Sequence, residues 1–352
     1  MATAQQRVSK PTTTGTGVSQ IQTITPNKPE LTVLGKIEQS GDILSAHYSA
    51  DGNDIFAGSI NGEVFHFESR SLKKLNQVED EEMKNKHSPI TSVVPVKINN
   101  ENKLFTSHVS GWVKIWDAGG NTCLSTVKEK NQILGVIPHT RKEKFLTLGE
   151  DAKMRLYDMK TGQLAMTFEN SYTKDKMTGH DSKIFAAKFH PKNINEFISG
   201  GWDDTVQFWD MRKGQSIRYF AGAHICGEGL DLDIHGELVL TCAYQPSNTC
   251  RLWNYATAQP YLVLGAETAK LYCGKYLGPK FVVTGSSDPG NVRIINLFNM
   301  ATVVVHKTGA VGVYCVDAHQ RGGDKKENVV NTRLLLAAGE TLSEIDFKFL
   351  HQ

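Results

Sequence analysis

The chain has 352 residues, with 39 basic against 37 acidic side chains, a formal charge of +2, and 39% apolar residues. That composition excludes a disordered chain and gives no global field for nucleic acid or an anionic membrane. No run approaches the ~20 apolar residues of a membrane-spanning helix, and the opening MATAQQRVSKPTTTGTG lacks the apolar segment of a secretory signal.

Residues 1–30 are rich in Thr, Gln, Ser, Gly and Pro and carry no aromatic residue. Such a segment cannot offset its ordering entropy, so it reads as a disordered polar tail. Structure is expected from Leu31. From there the pattern is β-like: apolar alternations of four to eight residues, separated by Gly, Asn and Asp.

One segment recurs along the chain. An apolar pair, one or two small residues, a turn and an alternating strand lead to an aromatic followed by an acid or Asn. Copies are DIFAGSINGEVFHFE (Asp54–Glu68), KLFTSHVSGWVKIWD (Lys103–Asp117), KFLTLGEDAKMRLYD (Lys144–Asp158) and EFISGGWDDTVQFWD (Glu196–Asp210). Looser copies are Leu238–Asn254, Lys280–Asn296 and Leu334–Phe349. Their closing residues recur at roughly 40–50 residue intervals, the signature of a radial or linear repeat. Each copy follows another alternation, such as ILSAHYS, KIFAAKFHP or LYCGKYL, and most precede a fourth, such as QLAMTF. That makes seven units of four strands.

The segment Gly179–Asp210 opens with GH and closes with WD. It resembles a unit of the WD-repeat (WD40-type) β-propeller family, and the resemblance extends from Leu31 to the end of the chain. It implies an all-β fold: a seven-bladed β-propeller of four-stranded antiparallel blades, near 40–78, 87–128, 131–168, 179–220, 224–264, 270–305 and 309–350. The last unit has three strands of its own, and the run 31–37 has no unit. That run is expected to supply the missing outer strand and close the ring, which removes the open sheet edges.

His180, Ser199, Asp203 and Trp209 invite a catalytic reading, because three of them mimic a Ser–His–Asp triad. The family resemblance implies a structural tetrad instead, with Asp bonded to His, His to Ser, and Ser to the indole N–H. The serine lies mid-strand and not on an exposed elbow. The third unit keeps a partial set, Thr147, Asp151 and Tyr157; the second keeps Thr106 and Trp116. No phosphate loop, HExxH or calcium-loop motif is present. The six cysteines form no CxxC, and several lie in strand-like runs, as small buried hydrophobes do in a reducing compartment. The sequence therefore implies no enzyme, no cofactor, no metal, and an intracellular site in cytoplasm or nucleus.

Binding in a propeller falls to loops on a rigid ring. Aromatics in tight turns are unusual, which makes Trp202 and Trp112 candidate partner contacts. Tyr244, Phe185 and His108 lie near the same expected rim. WDMR (Trp209–Arg212) resembles a box of WD-repeat substrate receptors in cullin-4 ubiquitin ligases, where the resemblance gives Arg212 the adaptor contact. The charged runs Leu72–His87 and His319–Thr332 read as solvated connections, and the loop Glu169–Asp181, which carries Tyr172 and several lysines, borders the expected rim. The leading expectation is a scaffold: a monomeric propeller holding proteins or peptides within a larger complex. A ligase substrate receptor and a ciliary or cytoskeletal subunit are the alternatives.

Overall fold

A computed structural model describes residues 29–117, 119–171, 178–265, 269–287, 289–320 and 329–350. Nearly all of the expected polar tail, Tyr172, and most of the run between His319 and Thr332 lie outside them. The strands form seven four-stranded antiparallel sheets. In chain order these blades run Ile43–Gln77, Ile90–Lys128, Ile133–Phe168, Ile184–Ala221, Leu230–Val263, Leu271–Lys307 and Val313–Leu350. The first strands of successive blades contact one another around a common axis, so the first strand is innermost and the fourth outermost.

Position in the blade explains residue choice. In blade 4 the middle strands, Glu196–Gly201 and Thr205–Asp210, are buried almost throughout, whereas the outer strand Ser216–Ala221 alternates. Middle strands are covered on both faces by neighbouring blades and so accept apolar or small residues. The outer strand has water on one side and shows the two-residue period. Seven apolar clusters fill the seven junctions between blades. One joins Leu146, Leu148 and Met154 of blade 3 to Ile184, Phe197 and Trp209 of blade 4. Another joins Leu335, Ala337 and Leu342 of blade 7 to Ile43, Ile55 and Phe67 of blade 1.

The ring closes through the N-terminal strand Glu30–Glu38, which pairs antiparallel with Thr341–Leu350, from Glu30 opposite Lys348 to Glu38 opposite Thr341. It is the outer strand of blade 7. The last blade therefore needs both ends of the described chain, and no strand edge is left open between blades 7 and 1.

One irregularity positions the site. In six inner strands the pairing slips by one residue after the first position, at Ile43/Ser45, Ile90/Ser92, Ile133/Gly135, Ile184/Ala186, Leu271/Cys273 and Val313/Cys315. Such bulges leave one residue per strand outside the ladder and re-aim it. The residues are Leu44, Thr91, Leu134, Phe185, Tyr272 and Tyr314; the pairing of Leu230 with Thr241 puts Glu228 at the matching place in blade 5.

The run Leu72–His87 is not simply a solvated connection. Glu81–Lys86 forms a short helix. Asp80 caps it by accepting from the Met83 N–H at 3.0 Å, and Met83 is buried. The acidic cluster thus sits where negative charge suits a helix start.

Candidate functional site

The axis holds a cavity of about 540 Å³ lined by residues of the inner strands and their lead-ins, among them Leu44, Val94, Leu134, Phe185, Tyr272 and Tyr314. At its mouth the aromatics are continuous. Phe185 stacks on Trp202 with ring centres 5.5 Å apart, and Trp202 on His224 at 6.0 Å. The Tyr244 N–H donates to the His224 carbonyl, Tyr244 stacks on Tyr272 at 5.0 Å, and Tyr272 meets Tyr314 at 5.3 Å. The Tyr314 hydroxyl donates to Asp42 of blade 1. This arc crosses blades 4, 5, 6 and 7. Trp202 is its most open member at 41% exposed, with the Lys183 ammonium 5.2 Å from its ring centre.

Three residues deeper, the inner strands carry His47, Val94, Ile137, Lys188, Asp231, Lys275 and Asp317. From blade 4 round to blade 1 the charges alternate: Lys188 lies 3.7 Å from Asp231, Lys275 pairs closely with Asp317, and Asp317 lies 3.5 Å from Nδ1 of His47. Glu228 meets the other ring nitrogen, Nε2, at 3.1 Å. Burial disfavours the imidazolium, but Glu228, Cys315 and Asp317 outweigh it and hold the His47 pKa well above its usual value. Burial likewise opposes ionisation of Glu228, yet His47 brings its carboxyl down to about 2. Burial pushes the Cys315 thiol up. Asp231 also accepts from the Tyr276 N–H, and Asp233 accepts from the N–H groups of Glu237 and Leu238.

The set His180, Ser199, Asp203 and Trp209 is bonded in one chain. His180 Nδ1 lies 2.7 Å from Asp203 and Nε2 2.7 Å from the Ser199 hydroxyl, which also accepts from the Trp209 indole at 2.8 Å. His180 and Ser199 are buried. The chain ties the entry of the inner strand to the two middle strands. In blade 3 the hub is a carboxylate: Thr147 donates to Glu129 at 2.6 Å, and Arg155 pairs with Glu129 at 3.0 Å. Asp151 turns away from Thr147 to pair with Arg155 at 2.6 Å.

The remaining candidates are scattered. Trp112 is half-buried among the ammonium groups of Lys86, Lys114 and Lys128, each within 4.9 Å of its ring centre. Lys114 is itself tied to Asp80 and Glu82 of the capped helix. His108 stands beside the turn that leads to Trp112, but its side chain is buried. It is 3% exposed, faces the Thr106 hydroxyl that also accepts from Trp116, and burial pulls its pKa down to about 4. It ends a middle strand on the face it shares with Leu104 and Thr106, which is turned to blade 1 and the Glu81–Lys86 helix. Arg212 follows the end of the third strand of blade 4, at the opposite rim from Trp202. Asp210 accepts from its Nε and Nη2 at 2.9 and 2.7 Å, which holds the Asp210 carboxyl at about 2.

Reading the repeats one by one missed Tyr272, Tyr314 and His224, and the channel charges His47, Lys188, Lys275 and Asp317. Their signal is a column: Phe185, Tyr272 and Tyr314 stand second in three inner strands. A family model described as "WD domain, G-beta repeat" matches residues 171–210. Protein tipD of Dictyostelium discoideum is 31% identical over 130 residues, covering 37% of this chain and 20% of that protein. Coronin-7 of Mus musculus is 28% identical over 133 residues, 36% of this chain and 12% of its own. Ribosome biogenesis protein YTM1 of Scheffersomyces stipitis is 28% identical over 106 residues, 30% of this chain and 22% of its own. The matches thus span about a fifth or less of each relative. A matched WD repeat and seven four-stranded blades closed into a ring make the chain a seven-bladed β-propeller that carries the WD repeat.

Proposed function

We propose that this propeller is a non-enzymatic interaction scaffold that takes a protein or peptide segment over the mouth of its channel. The observation that carries the reading is the aromatic arc from Phe185 and Trp202 through His224 and Tyr244 to Tyr272 and Tyr314. Rigid aromatics flanked by polar groups are the usual make-up of an interface hot spot. The ring holds them in place beforehand, so little receptor entropy is lost on binding. Names such as coronin and ribosome biogenesis protein among the relatives support assembly work of this kind. All six cysteines are free, which supports an intracellular location. No described helix is long and apolar enough to cross a membrane.

The test is affinity purification from the native cell with the wild-type chain and with Trp202→Ala/Tyr272→Ala, both checked for unchanged melting. A stoichiometric partner held by the wild type and lost by the double variant supports the reading; a partner set indifferent to it counts against this face. The cullin-4 reading rests on Arg212 alone, whose guanidinium is already engaged by Asp210. It predicts that Arg212→Ala loses the ligase adaptor while the fold stands.

A further inference from the structure

Three inner-strand segments, far apart in sequence, bring His47, Glu228 and Cys315 together at the channel wall. His47 Nε2 lies 3.1 Å from Glu228 Oε1, Cys315 Sγ lies 3.4 Å from Glu228 Oε2, and Sγ lies 3.9 Å from Nε2. A tetrahedral zinc bound at about 2.0 Å to N and O and about 2.3 Å to S separates its ligand atoms by roughly 3.3–3.6 Å. The two shorter contacts use different oxygens of the Glu228 carboxylate; with one ligand atom taken from each residue the three lie within 4.8 Å of one another, somewhat wider than that spacing, so a bound ion draws them together. We propose that His47, Glu228 and Cys315 form a divalent-metal site of the zinc class, with its fourth position facing the channel.

Several features favour a site over a chance ion pair. The donor set of imidazole, thiolate and carboxylate is the one zinc takes, and the one least suited to magnesium or calcium. His47 and Glu228 line the cavity, which gives an ion a way in, while Cys315 is buried behind them. The other imidazole nitrogen already faces Asp317 at 3.5 Å, and Lys275 pairs with that carboxylate. A carboxylate behind a ligating histidine is the outer-shell arrangement that orients the ring. Glu228 is placed by its neighbours Gly227 and Gly229. A Cβ on Gly227 would stand 2.7 Å from the Tyr272 carbonyl oxygen, and one on Gly229 2.2 Å from that of Cys242. Only glycines let this segment lie flat on adjacent backbone and turn the glutamate inward.

Binding forms bonds from the metal to Nε2, a carboxylate oxygen and Sγ. It displaces the Nε2 proton and the thiol proton to channel water. A doubly charged ion replaces two protons, so the cluster of His47, Glu228, Cys315, Asp317 and Lys275 is neutral before and after.

The experiment is a Co²⁺ titration of the full chain stripped with chelator, followed by absorption, with Zn²⁺ as competitor. The expected result is one ion per chain, with the thiolate-to-cobalt charge-transfer band, the visible bands of a tetrahedral centre, and displacement by Zn²⁺. Cys315→Ser is expected to abolish the charge-transfer band. Glu228→Gln should weaken binding at least tenfold, and Asp317→Asn about tenfold, through the histidine. Cys226→Ser, altering a second thiol beside the same cavity, should change nothing. X-ray absorption of the zinc-loaded wild type needs no variant to fold, and should show one sulfur at about 2.3 Å with lighter ligands nearer 2.0 Å. Absence of saturable one-to-one binding, absence of a sulfur neighbour, or binding untouched in a folded Cys315→Ser chain would each overturn the site.

Discussion

Blades 3 and 4 stand side by side and meet the same requirement with opposite chemistry. Each must tie the lead-in of its inner strand to the two buried middle strands. Blade 4 uses a histidine hub: His180 holds Asp203 and Ser199, and Ser199 holds Trp209. In blade 3 Glu129 stands four residues before Ile133, as His180 does before Ile184, with Thr147 opposite Arg155 as Ser199 is opposite Gln207. Its carboxylate accepts where the imidazole would bridge, and Arg155 supplies the counter-charge. The fold selects a hub that engages the buried middle-strand hydroxyl, and tolerates either an imidazole or a carboxylate in that place. Such tolerance suits packing better than catalysis.

The sharpest break of the comparison is His180→Ala, which strands the Asp203 carboxylate and the Ser199 hydroxyl. It should lower stability by ~3 kcal/mol, read as a fall in the urea midpoint at constant slope. An unchanged midpoint would favour a catalytic role. Ser199→Ala, which leaves both His180 and the Trp209 indole facing a methyl, should cost ~2 kcal/mol by the same measurement. Glu129→Ala should cost ~1–2 kcal/mol, since Arg155 keeps Asp151.

The smallest effect separates the blades by sign. Burial opposes ionisation of Asp203, but the contact with His180 and the bonds from Thr205 outweigh it and hold its pKa below the usual value. Its contribution is present above the unfolded carboxylate pKa and is lost as pH falls through the lower folded value. Glu129 is the reverse: burial raises its pKa in spite of Thr147 and Arg155. The folded state favours its proton, so stability is lost as pH rises above the ordinary carboxylate range. Across pH 3–7 the advantage of wild type over Asp203→Asn should grow with pH, and that over Glu129→Gln should shrink, each by less than about 1 kcal/mol. Parallel slopes would erase the distinction.

The tetrad positions were legible because each blade writes them within about 40 residues, at fixed offsets from a repeated strand pattern. The burial of His108 was not legible, because a histidine ending a strand looks open until the helix and blade packed against it are in place. Phe185 and Trp202 could be picked out singly, but not the arc, which needs Tyr272 and Tyr314 from other blades. The channel charges carried no local signal, for Asp317 in VYCVDA reads like any strand polar residue.

Seven units of four strands followed from the amino-acid pattern alone, since hydrophobic period and turn residues act over short stretches of chain; the antiparallel blades, the ring and its N-terminal clasp were what the family resemblance implied. The meeting of His47, Glu228 and Cys315 was decided by ring closure and by the bulge that resets each inner strand. Contacts between residues up to 268 positions apart depend on register and curvature, which no local pattern encodes.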